Sequence, residues 1–179
     1  MQHNHSRVAA LSDKIEKITS ESPLLCYQCG KCSAGCPIRD YMNESPNQVV
    51  RLVQLGFDDE ALKSSTIWLC AGCLTCSSRC PQNFDLAKFM DAMRSTALHE
   101  GIEISEIDTV KFHKVFLNQV KKHGKMFEFG LARDYKLTTQ NFLQDVNVAP
   151  EMFIKGKIGL FPHEIKDKKG MKELFDKVD

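Results

Sequence analysis

Eight cysteines carry the chemistry of this sequence, and they fall into two runs of the same spacing. Cys26, Cys29, Cys32 and Cys36 are followed by Pro37; Cys70, Cys73, Cys76 and Cys80 are followed by Pro81. Each run reads Cys-x2-Cys-x2-Cys-x3-Cys-Pro, and the second repeats the first 44 residues later. Thiolates are soft donors suited to iron–sulfur clusters and zinc. A [4Fe–4S] cube needs four of them at four iron corners. The first three cysteines of a run wrap around one cube, and backbone N–H groups between them stay free to point at its sulfides. The fourth ligand approaches from elsewhere. Disulfides fit the spacing poorly, because clustered cysteines close no useful loops, and nothing in MQHNHSRVAA has the apolar core of an export signal.

The run is that of bacterial ferredoxins, in which the fourth cysteine ligates the other cluster. On this reading cluster A takes Cys26, Cys29, Cys32 and Cys80, and cluster B takes Cys70, Cys73, Cys76 and Cys36. The crossing pins the runs together, so that cluster insertion helps the domain fold. Pro37 and Pro81 turn the chain away after the fourth ligand. The competing reading is structural zinc on pairs of Cys-x2–4-Cys. Zinc would use four of the eight cysteines, or need two sites of three-plus-one spacing. Tyr27 and Trp68 sit beside ligands and either shield a cluster or pack. Lys31 and Arg79 either stabilise a reduced cluster or are solvated.

Helices must position these runs. Val8, Leu11, Ile15 and Ile18 have helical spacing up to Ser22-Pro23. Ser45-Pro46 is an N-cap and first-turn pair, Val49, Val50, Leu52 and Val53 form an apolar face, and Gly56 closes the helix. A short piece at 58–63 leads to the second run. Leu86, Phe89, Met90, Met93, Ala97 and Leu98 make the strongest amphipathic pattern, ended by Gly101. Ser105 is expected to cap a helix reaching His123. Beyond Tyr135 the signal weakens: residues 141–146 and 151–155 suit short helices, and the Lys-rich stretch 166–172 is a docking or solvated tail. Strand signals are poor throughout. The chain is therefore expected to be all-α, with an N-terminal helical extension (1–22), a two-cluster domain (23–101) and a C-terminal helical segment with a docking tail (102–179).

The remaining motifs are mostly negative. A formal net charge of +1 gives no field for nucleic acid, and no apolar run is long enough for a transmembrane segment. There is no dinucleotide or Walker loop, and no serine elbow. His99, His113, His123 and His163 are scattered. With every cysteine assigned to a cluster, no catalytic residue is expected. The chain reads as a cytoplasmic electron relay whose catalysis sits on a partner.

The sequence resembles the C subunit of heterodisulfide reductase. The resemblance lies in Cys26-Tyr27-Gln28-Cys29-Gly30-Lys31-Cys32-Ser33-Ala34-Gly35-Cys36-Pro37 and in the run from Trp68-Leu69-Cys70 to Cys80-Pro81. It extends to Ser45-Pro46-Asn47, to Gln82-Asn83-Phe84-Asp85-Leu86, and to the tail from Phe153 to Lys166. It implies an α-helical ferredoxin-type domain with two [4Fe–4S] clusters. It also implies a hetero-oligomer with an A-type subunit, which holds flavin and clusters, and a B-type subunit, which holds non-cubane clusters and in methanogenesis cleaves the mixed disulfide of coenzymes M and B. No adjacent cysteine pair is present here, so that catalytic centre is absent, and the implied role is relaying single electrons between the A-type and B-type partners. The cysteine runs are shared with iron–sulfur subunits of succinate dehydrogenase, fumarate reductase, glycolate oxidase and glycerol-3-phosphate dehydrogenase, which remain the alternative class. A non-redox scaffold is the third.

Overall fold

The computed structural model describes residues 5–141, 149–156, 159 and 161–177, and they are helical, with no strand among them. The first compact unit is Met1–Glu106. It contains α1 (His5–Thr19), α2 (Lys31–Ala34), α3 (Pro46–Leu55), α4 (Asp58–Lys63), α5 (Ser65–Leu69), α6 (Thr75–Arg79) and α7 (Leu86–His99). Two 3-10 turns, Pro23–Leu25 and Arg39–Tyr41, lie within it. The sequence segment 1–22 supplies α1, which packs on α3, α4 and α7.

Apolar periodicity explains most of the packing. Leu11 and Ile15 of α1 are buried, and so is Thr19, whose Oγ1 donates to the Ile15 carbonyl at 2.8 Å. Ile18, expected on this face, is 51% exposed, because steps of four residues from Leu11 carry the buried stripe to Thr19 instead. In α3 Val49, Val50 and Val53 are fully buried; in α7 Phe89, Met90, Met93 and Ala97 are. Leu98 lies off that stripe and faces solvent, contrary to its expected place.

The helix ends follow their signals. Ser45 and Gln48 close a capping box: Ser45 N–H donates to Gln48 Oε1 at 2.7 Å, and the Ser45 side chain accepts from the Gln48 N–H. Gly56 ends α3 in the left-handed region, with φ 76°. Asn43 Oδ1 accepts from the hydroxyls of Ser64, Ser65 and Thr66 at 2.7–3.2 Å, tying the loop before α3 to the start of α5.

The second unit, Ile107–Asp179, holds α8 (Ile107–His123), α9 (Glu128–Thr139), α10 (Ala149–Ile154) and α11 (Lys168–Asp176). Ser105 lies in the turn before α8, which starts one residue later than a Ser105 cap would place it. Helix α9, which the sequence pattern missed, packs on α8 through Gln119, whose Nε2 donates to Asp134 Oδ2 at 2.7 Å, and through edge-on contact of Phe112 with Tyr135. The Lys-rich stretch is largely helix α11, packed on α8 through an ion pair of Lys121 with Asp176 at 3.0 Å. Residues 142–146 of the expected short helix lie outside the described residues.

Candidate iron–sulfur centres

Both cysteine runs adopt the same backbone path. Residues two and four positions beyond the first cysteine are left-handed in each: Gln28 (φ 63°) and Gly30 (φ 75°) in the first, Gly72 (φ 62°) and Leu74 (φ 61°) in the second. Each run supplies glycine at one of these places and a strained L-residue at the other. The turns lead into α2 and α6, which pack on each other. Gly35 is where the runs touch closely: a Cβ there would lie 2.1 Å from Arg79 Nη1.

The eight thiols are unbridged and sort around two cavities. The first, about 360 Å³ and partly open to solvent, is lined by Cys26, Cys29, Cys32 and Cys80, with Val50, Phe84 and Leu86 among its apolar walls. The second, about 430 Å³, is lined by Cys36, Cys70, Cys73 and Cys76, with Met42, Leu86 and Met90. Each cavity thus meets three thiols of one run and the last thiol of the other. Cys76 also borders the first cavity, so it stands in the wall between them. Cys29 and Cys73 are exposed, and the other six are half-buried. Among the described residues, no three His, Cys, Asp or Glu side chains converge as a single metal ion requires. Four soft donors spaced around a volume fit a cluster with separate iron corners.

Burial pushes the thiols of Cys26, Cys32, Cys70 and Cys76 up. Cys73 is held down by the Thr75 hydroxyl and backbone N–H groups. Polar groups reach the sulfurs. Gln28 Nε2 donates to Cys26 Sγ at 3.4 Å, and the Ser33 hydroxyl lies 3.8 Å from Cys32 Sγ. Asn47 holds both in place: its Nδ2 donates to Gln28 Oε1 at 3.0 Å, and Ser33 Oγ donates to its Oδ1 at 2.5 Å. In the second run Ser77, 4.0 Å from Cys76 Sγ, donates to Asp85 Oδ1 at 2.6 Å, and that bond holds the carboxyl below its usual range.

The first cysteine of each run is held through its carbonyl. Gln54 Nε2 of α3 donates to the Cys26 carbonyl at 2.7 Å, and Arg94 Nη1 of α7 donates to the Cys70 carbonyl at 3.0 Å. Sequence reasoning missed Gln28, which fills an unspecified position of the first cysteine run, and Gln54 and Arg94, which fall outside both runs. Trp68 is buried in the core, and Tyr27 is exposed, so only the tryptophan packs. Lys31 lines the first cavity but is exposed.

Fold and site together define a helical, ferredoxin-type iron–sulfur protein. Residues 23–84 match the 4Fe-4S dicluster domain family. The chain is 35% identical over 95 residues to a Methanopyrus kandleri protein, the iron-sulfur C subunit of CoB--CoM heterodisulfide reductase, a match covering 51% of this chain and 50% of the relative. It is 38% identical over 82 residues to the C subunit of ferredoxin:CoB-CoM heterodisulfide reductase from Methanosarcina acetivorans, covering 46% of this chain and 33% of that protein. A Methanosarcina mazei protein of the same name is 27% identical over 124 residues, 66% of this chain and 76% of the relative. The chain spans half or less of the length of the first two relatives. Among the described residues, no helix is long and apolar enough to cross a membrane.

Proposed function

We propose that this chain is the electron-transfer component of a heterodisulfide reductase-type complex in the cytoplasm. It relays single electrons between an A-type partner, which holds flavin and clusters, and a B-type partner, which reduces the disulfide. Two [4Fe–4S] clusters would be held by Cys26, Cys29, Cys32 and Cys80 and by Cys70, Cys73, Cys76 and Cys36. The observation that carries the reading is the sorting of eight thiols around two cavities, each completed by the other run.

When bound, each cluster supplies a one-electron redox centre. The protein's contribution is placement. Cys32 and Cys76 belong to the short helices α2 and α6, which pack together and bring the two sites side by side. Cys29 and Cys73 lie at the solvent-facing edges. Apolar walls from Val50, Phe84, Leu86 and Met90 exclude water, while the Gln28 amide donates to the Cys26 sulfur. Exposed Leu24, Leu25 and Tyr27 before the first exposed cysteine, and Leu74 after the second, give each edge an apolar rim suited to a partner. Segment 102–179 is read as the further docking element.

The test is anaerobic purification with iron and sulfide analysis and identification of copurifying chains. About eight irons per chain, an EPR signal on reduction and a cysteine-rich B-type partner are expected. Zinc without an EPR signal, or a membrane quinone dehydrogenase as the stable partner, would overturn the proposal.

A further inference from the structure

The two halves of the site are built on one plan, but one position in that plan differs in charge. Helix α3 begins after the N-cap Ser45, and α7 begins after the N-cap Asp85. Counted from these caps, Val49, Val50 and Val53 coincide with Phe89, Met90 and Met93, and all six are buried. Asn47 coincides with Ala87, and each backbone N–H donates to the serine beside the third cysteine: Asn47 to Ser33 Oγ at 3.1 Å, Ala87 to Ser77 Oγ at 3.4 Å. In the same register Gln54 coincides with Arg94, and each reaches back to the carbonyl of its run's first cysteine. The same latch is therefore neutral at Cys26 and cationic at Cys70.

The next position outward differs as well. Arg51 Nη1 donates to Gln54 Oε1 at 3.1 Å, and its equivalent, Asp91, pairs with Arg94 Nη2. The Arg94 side chain is 16% exposed, whereas Asp91 is 70% exposed and Arg51 is also exposed. Water screens the outer charges, and the inner one acts through protein. Lys31 is exposed too and forms no such latch. Adding one electron to a cluster adds one negative charge to it, and cluster potential depends on nearby charge. A cation fixed against a ligand residue favours the reduced state of that cluster alone.

We propose that Arg94 raises the reduction potential of the cluster held by Cys70, Cys73, Cys76 and Cys36, and that Gln54 leaves the other cluster without this bias, so the latch pair sets the difference between them. The inference rests on the two-cluster reading above. Arg94 is a positioning and tuning residue that touches the ligand backbone.

The test is a mediator-poised EPR titration of the anaerobically purified chain, with iron counted in every sample. Arg94→Gln keeps a donor and removes the charge. It is expected to lower one midpoint so that, at fixed ambient potential, the reduced-to-oxidised ratio of that cluster falls about tenfold, equivalent to about 59 mV for one electron. Gln54→Arg is expected to raise the other midpoint. Arg94→Lys, which keeps the charge, stays near wild type, and Asp91→Asn shifts the Arg94-sensitive midpoint upward by a smaller factor. Full iron content with unmoved midpoints in Arg94→Gln, or both midpoints moving together, would overturn the proposal. If Arg94→Gln does not fold, an unmoved or falling midpoint in Asp91→Asn overturns it. A wild-type chain lacking about eight irons would overturn the cluster reading itself, and this inference with it.

Discussion

Crossed ligation makes a prediction that no local reading of the runs would make. Cys80 closes the second run in sequence, yet it lines the cavity of Cys26, Cys29 and Cys32; Cys36 lines that of Cys70, Cys73 and Cys76. Cys80→Ala should therefore behave like Cys29→Ala and unlike Cys73→Ala. Each single substitution removes one of four ligands from one site and is expected to take iron from about eight to about four per chain, with half of the reduced EPR intensity. The pairs then separate the models. Cys29→Ala with Cys80→Ala injures one site twice and leaves about four irons; Cys73→Ala with Cys80→Ala injures both and leaves almost none. Local ligation predicts the reverse, because Cys73 and Cys80 would then share a cluster. The assay is iron and sulfide quantification with spin integration on anaerobically purified protein. Retention of about four irons by the Cys73/Cys80 double variant would refute the crossed assignment.

Three other perturbations test the frame that holds the sites. Asp58 is half-buried near Asp59 and Glu100, and burial followed by the Asp59 charge pushes its carboxyl up to about 6. The folded chain thus holds this proton more tightly than the unfolded chain, so the associated stability is complete below about pH 3.8 and is lost as pH rises through about 6. Asp58→Asn should be more stable than wild type at pH 7.5 by about 1 kcal/mol after allowance for screening, and the gap should close near pH 4 in thermal unfolding; a less stable variant at pH 7.5 contradicts this. Phe89 is fully buried with its ring 5.7 Å from Phe84, which lines the first cavity, so Phe89→Ala should cost about 3–5 kcal/mol and speed iron loss in a chelator assay; an unchanged melting temperature would refute the packing argument. Gly124 has φ 78°, and a Cβ there would lie 2.1 Å from Ile165 Cγ1. Gly124→Ala should destabilise the second unit by about 1–2 kcal/mol while iron content stays constant. Equal stability by hydrogen exchange at α8 and α11 would count against it.

Much of the first unit was legible because its signals are local. Ser45, Pro46 and Gly56 mark the ends of α3 by capping chemistry, and the stripe of α7 needs only a 3.6-residue period. The second unit was less legible. The apolar residues of α9 do not gather on one face: Phe129 and Leu137 are exposed, while Gly130 is buried where a Cβ would lie 2.6 Å from Gln119 Oε1. Its helix depends on contact with α8, which no window of sequence contains. The Lys-rich stretch hid α11 in the same way, since Asp167 caps it by accepting from the Gly170 N–H at 2.9 Å and packing on α8 completes it.

The latch residues escaped notice for a different reason. The cysteines repeat at one offset, 44 residues, but the helices that follow repeat at 40, because the connection from Cys36 to Ser45 is four residues longer than that from Cys80 to Asp85. A single-offset comparison aligns the ligands and misaligns Ser45, Asn47 and Gln54 with Asp85, Ala87 and Arg94. It therefore finds a repeated ligand pattern in unrelated surroundings. In space the surroundings repeat as well: left-handed residues at matching places in each run, a serine after each third cysteine held by a helix N-terminus, and a side chain on that helix holding the first cysteine's carbonyl. The shared plan fixes the ligand geometry. Neutral or charged residues can then alternate at the latch without moving a thiol, which would let the two proposed clusters differ in potential. Under the proposed relay function that difference would be useful, and the Gln54 and Arg94 exchange is where it can be measured.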